Sequence, residues 1–189
     1  MPVVIGGKRE SDFTDPIGML SDCHRRIERF LQALSTLARE LGGRPLAEQQ
    51  RTMLEASLRY FRESAPKHTS DEEESLFPRL RRIDSPEARA LLARLDSLEH
   101  DHERAERGHE EVERLGQQWL AEGRLGPEAA ARLSAVLSEL SELYAAHIGL
   151  EDREIFPAAQ RLMPAADREA VGAEMAERRG VPPRPAGRG

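Results

Sequence analysis

Two stretches of this chain carry the same constellation. One reads His68-Thr69-Ser70-Asp71-Glu72-Glu73-Glu74-Ser75-Leu76-Phe77-Pro78, the other His147-Ile148-Gly149-Leu150-Glu151-Asp152-Arg153-Glu154-Ile155-Phe156-Pro157. In each, a Glu follows a His by four residues, and an aliphatic-Phe-Pro triplet follows at the same offset. The copies lie 79 residues apart (147 minus 68), and His24 and His102 lie 78 apart (102 minus 24). The duplication therefore includes the helix that precedes each copy, and the chain must fold as two similar helical halves.

Apolar spacing supplies the helices. Asp15-Pro16 predicts a helix start, with Asp15 as N-cap and Pro16 at the first helical position. Ile17, Leu20, His24, Ile27, Leu31 and Leu34 then recur at threes and fours, and Gly42-Gly43 ends the run. A second segment runs from about Leu46 to Leu80, with Pro66 expected to kink or interrupt it. Ser85-Pro86 opens a third helix through Leu91, Leu98, His102, His109 and Trp119, and Pro127 opens a fourth that reaches Leu162. Pro164 is the expected start of a short extra helix. The predicted fold is all-α, an up-down-up-down four-helix bundle over residues 15–162. Residues 1–14 are expected as a flexible leader, and 163–189 as a short helix with a disordered tail.

Composition agrees with helices and removes several classes. The 189 residues are 33% charged and contain one Trp, two Tyr and five Phe, too few aromatics for a β-sandwich. A net charge of −6 without a basic block speaks against nucleic-acid binding. The single cysteine, Cys23, rules out an internal disulfide framework and thiolate-rich metal sites. Neither a signal peptide nor a run of about 18 apolar residues is present, so the expectation is a cytoplasmic protein with no membrane partner.

Each predicted helix thus offers a His on or near its apolar stripe, and two also offer a Glu on the same face. Two carboxylates turned toward a core are costly unless something cationic lies between them. A pair of metal ions meets that need, with Glu72 and Glu151 bridging and His24, His68, His102 and His147 as terminal ligands. Imidazole with carboxylate suits iron, manganese, zinc or cobalt. Among the third-helix histidines, offsets from His24 match those from His102, whereas His100 is followed by Glu103 and Glu110 on an outward face. His109 is a supporting or core histidine, and Glu106 is a candidate seventh ligand. Tyr144 either packs in the core or hydrogen-bonds a bound oxygen species. Cys23 is read as an inert small residue, with redox sensing as the other possibility. A ferritin-like site needs Glu-x-x-His on two helices, and here both such pairs fall on one.

These residues resemble the hemerythrin family, in particular the bacterial hemerythrin-like (HHE cation-binding) domains, over about residues 15–162. The resemblance implies a non-haem di-iron centre with an oxo or hydroxo bridge, held by the six residues named above. It implies a small partner, O2, NO or peroxide, in sensing, storage or stress response. The alternative is a di-iron enzyme that reduces peroxide or NO, or donates iron for iron-centre repair. Two departures from the oxygen carriers stand out. Position 106 is Glu where they have a second third-helix His, and Glu151 precedes the Asp152 that matches their final carboxylate.

Overall fold

The computed structural model describes residues 10–182, all helix and connecting loop with no strand among them. Helix α1 (Pro16–Leu41) begins where Asp15 Oδ1 accepts the Gly18 N–H at 3.1 Å and ends at Gly42, which is left-handed at φ 54°. Helix α2 (Glu48–Glu63) breaks at Ser64, and α3 (Ala65–Ser70) carries Pro66 in its first turn. A wide turn (Asp71–Leu76) leads to α4 (Phe77–Arg81). Helix α5 (Pro86–Glu122) is capped by Ser85 Oγ, which accepts the Ala88 N–H at 3.1 Å. Helix α6 (Pro127–Leu150) leads through a second wide turn (Glu151–Ile155) to α7 (Phe156–Leu162), and α8 (Ala165–Arg178) follows Pro164.

The two wide turns are π-helical, and the prolines explain them. The Phe77 N–H bonds Glu72 O and the Phe156 N–H bonds Glu151 O, each reaching back five residues instead of four. Pro78 and Pro157 have no N–H, and their rings would collide with the carbonyl four residues earlier, so the backbone widens just before each. The motif repeat thus becomes a repeat of backbone shape.

Helix α1 packs on α2 and α6, and α5 packs on the same two. The core within this ring has two apolar compartments. One contains Ile27, Leu31, Leu58, Phe61, Leu115, Trp119, Leu137 and Ile148. The other contains Leu20, Leu76, Phe77, Leu95, Leu98, Ile155, Phe156 and Met175. Each fully buried leucine contributes roughly 1.5–3 kcal/mol of transfer free energy. On every long segment the histidine of the motif falls at the boundary between compartments.

Helix α8 closes one end of the molecule. Arg79 donates to both Glu174 carboxylate oxygens at 3.0 and 2.6 Å, and Arg178 and Arg179 both donate to the buried Asp71. At Gly172 a Cβ would lie 2.0 Å from the Phe13 carbonyl oxygen, so only glycine admits that backbone contact. Residues before α1 are held there too, since the Ser11 N–H donates to Asp22 at 2.7 Å. Gly172→Ala is expected to lower stability by about 1–3 kcal/mol, read as a shift of denaturant midpoint at unchanged slope. Residues 1–9 of the expected leader and 183–189 of the expected tail lie outside the described residues.

Candidate metal centre

Between the compartments the six predicted side chains meet. His24, Glu72 and Glu151 are fully buried, and His68, His102 and His147 are at most 8% exposed. Two groups of possible ligand atoms form, each within 4.8 Å: His24, His68, Glu72 and Glu151, and Glu72, His102, His147 and Glu151. Both glutamates belong to both groups. His24 Nε2 lies 3.1 Å from Glu151 Oε2 and 3.9 Å from Glu72 Oε1, and His68 Nε2 lies 3.3 Å from Glu72 Oε1. On the other side His102 Nε2 is 3.3 Å from Glu72 Oε2, and His147 Nε2 is 3.1 Å from Glu151 Oε2.

The approach is close, yet all four glutamate oxygens and His24 Nε2 lack a hydrogen bond of good geometry. Buried polar atoms are rarely left so. An N/O donor set with lone pairs converging on two points fits a pair of cations, each taking two imidazoles and sharing two carboxylates.

Behind these atoms stands a second duplicated feature, which sequence reasoning missed. Asp152 follows Glu151, and its Oδ1 lies 3.1 Å from His24 Nδ1; Glu73 follows Glu72, and its Oε1 lies 2.7 Å from His102 Nδ1. Each turn therefore supplies one carboxylate to the centre and the next to a histidine on a different helix. Asp152 is itself held by Ser21 Oγ at 3.1 Å and Arg25 at 2.9 Å. With Nδ1–H donating to a carboxylate, Nε2 keeps its lone pair toward the centre. The triplet phenylalanines repeat the pattern: Phe156 stacks on His24 at 5.1 Å and Phe77 lies parallel to His102 at 6.4 Å. The legible signal was an acidic residue directly after each repeated Glu. Asp101 is looser, 3.8 Å from His147 Nδ1, and His68 Nδ1 has no partner.

Burial acts against a charged His24, but the bond to Asp152 and the negative charges of the nearby Glu151 and Glu72 outweigh it and raise its pKa to about 10. Burial holds His68 well below its ordinary value. Burial, joined by the Glu151 charge, pushes Glu72 well above the carboxylate range. Glu151 is also opposed by burial, yet His147 and His24 keep it below that range. Near neutral pH these shifts place protons on both His24 and Glu72. Loading must expel them, so metal uptake near neutral pH is expected to release protons, and apparent affinity is expected to rise with pH. An indicator-dye titration measures both; proton-neutral uptake would contradict this protonation pattern.

The remaining candidates fall outside the cluster. Glu106 is exposed on the wall of a neighbouring cleft. His109 Nε2 pairs with Tyr144 Oη at 2.9 Å and its ring stacks on Phe61 at 4.2 Å, while burial lowers its pKa to about 4. His100 is on the surface beside Glu103. Cys23 is buried, and burial raises its thiol, which suits an inert residue. No helix of the described residues is long and apolar enough to cross a membrane.

A helical bundle whose buried imidazoles converge on two shared carboxylates defines a class of cation-binding domain. The family model for the hemerythrin HHE cation-binding domain matches residues 15–159, and the chain belongs to that family. It is also 34% identical over 91 residues to an uncharacterized protein of Haemophilus influenzae, a stretch covering 48% of this chain. The chain spans about half the length of that relative, 51%.

Proposed function

We propose that the chain is a non-haem di-iron protein that binds O2, NO or peroxide at the centre between the two core compartments. The observation that carries this reading is that Glu72 and Glu151 each belong to both four-residue ligand groups. Two separate mononuclear sites would not require shared carboxylates. The ligand order along the chain and the alternation of compartments from α1 to α6 support an up-down-up-down bundle.

Iron in this centre would supply electrons and open coordination positions to a small oxidant or to NO. The chain's own part is positional and electrostatic. His24, His68, His102 and His147 hold the two ends, and the glutamates set the spacing between them. Asp152 and Glu73 orient the imidazoles, and supporting carboxylates of this kind typically change metal affinity 10- to 100-fold. Asp152→Ala and Glu73→Ala are therefore expected to weaken binding by about that factor while the apo protein stays folded, as competition with a chelator reads. The apolar layers above and below exclude water, so charges at the centre are felt strongly.

The direct test is metal analysis with an absorption spectrum, on protein purified under reducing conditions and then exposed to air. About two irons per chain with oxo-to-iron bands is the expected result. Mononuclear binding, or zinc alone, would overturn the proposal. Stopped-flow mixing with O2, NO and peroxide then separates a stable adduct from turnover.

A further inference from the structure

All six cluster residues are buried, so a cation must reach them through the protein. His102 is the most exposed of the six, at 8%, and it forms part of the wall of a cavity of about 460 Å³ between α2, α3 and α5. A cleft elsewhere, lined by Ser35, Ala130 and Ser141, contains none of the six. The cavity by His102 has two kinds of lining. Leu58, Phe61, Ala65 and Val112 form an apolar wall, whereas Glu73, Glu103, Glu106, Glu110 and Glu113 bring five carboxylates. Arg62 is the one Lys or Arg lining it, and that guanidinium is occupied by Glu113 at 2.7 Å and Glu63 at 3.3 Å.

From these observations we infer that this cavity is the entry route for divalent cations, with Glu106 and Glu110 at its rim and Glu73 and His102 at its inner end. The inference rests on reading the cluster as a cation centre. Glu73 spans the route. Its side chain is 35% exposed, yet its Oε1 lies 2.7 Å from His102 Nδ1, so one carboxylate touches both the cavity and a cluster residue. His109 lines the same wall with Nδ1 buried and unpartnered, a second nitrogen close to the path. A cleft of one charge sign with low-dielectric walls focuses the field and raises the on-rate of the opposite charge, an effect that salt screens. The same field disfavours anions, so the route selects for the cation itself.

The experiment is anaerobic stopped-flow loading of full-length apo protein with Co2+ and Fe2+, followed by the equilibrium stoichiometry of each variant. The Glu106→Gln/Glu110→Gln double variant is expected to load about 3- to 10-fold more slowly at low salt. That difference should shrink as salt approaches about 0.5 M, with final stoichiometry unchanged. Glu106→Trp, which adds bulk at the rim as well as removing charge, should load more slowly still. Glu128→Gln/Glu139→Gln, an equal change of charge on exposed positions of α6, should load like the unaltered chain. Equal rates for both double variants, or unchanged loading of Glu106→Trp, would overturn the route while leaving the centre intact. A parent chain that takes up no pair of cations at equilibrium would overturn the centre, and the route with it.

Discussion

Replacing Glu72 or Glu151 by alanine is expected to release both cations, not one. Each glutamate belongs to both candidate ligand groups, so in the proposed two-cation centre its loss would strip a ligand from each ion and remove half of the negative charge between them. The affinity loss should exceed the 10- to 100-fold typical of a supporting partner, and stoichiometry at micromolar metal should fall from about two per chain to near zero. Unfolding is the trivial explanation, and Glu72→Gln separates it. The amide is isosteric and uncharged, and burial already favours the neutral form of Glu72, whose oxygens accept no hydrogen bond. Apo Glu72→Gln should therefore melt no lower than the apo parent and still fail to load. Full metal content in either alanine variant would show that the bridging assignment is wrong.

Asp71→Ala is expected to have the largest effect on stability. Asp71 is fully buried and accepts from Arg178 at 2.9 Å and from Arg179 at 2.6 Å, both on or just beyond α8. Removing the carboxylate leaves two guanidiniums, each about 20% exposed, with only the exposed Glu74 carboxylate, 3.3 Å from Arg178, as a remaining counter-charge. Breaking a buried ion pair from one side costs about 3–5 kcal/mol. For a chain of this size that corresponds to roughly 6–20 °C in melting temperature. Because Asp71 precedes Glu72 in the same wide turn, loosening α8 should also weaken metal binding. Denaturant unfolding with and without metal measures both, and a loss under about 1 kcal/mol would mean that α8 does not clasp the turn. In the second turn Asp152 is 19% exposed and pairs with Arg25 of α1, itself largely exposed, so Asp152→Ala should leave global stability closer to the parent.

Much of the site could be read from residue spacing. Histidines 24, 68, 102 and 147 and glutamates 72 and 151 were identifiable because helical periodicity turns spacing into a shared face, and because duplication repeats the signal. The capping residues Asp15 and Ser85 likewise act locally, within three residues of the N–H groups they accept. Other features resisted reading because their causes lie far apart in the chain. Asp152 meets His24 across 128 positions, and Arg179 meets Asp71 across 108. An acidic run such as Asp71 to Glu74 looks like solvated charge, yet Asp71 and Glu72 are buried and Glu73 faces a histidine. Glu106 shows the reverse: one turn after His102 it looked like a ligand, and it stands exposed at the cavity rim.

The amino-acid order alone indicated which side chains can share a helix face and where the capped helices start, whereas the wide turns that divide the second and fourth segments were not read from it. Shared faces and caps depend on contacts within a few residues. Only the packed bundle decided which acid faces the other cluster residues and which supports a histidine, that a C-terminal helix grips the turn at Asp71, and that His102 borders a cavity lined by several acids. Such choices arise when distant segments compete for the same buried space, and spacing along one segment carries no information about that competition.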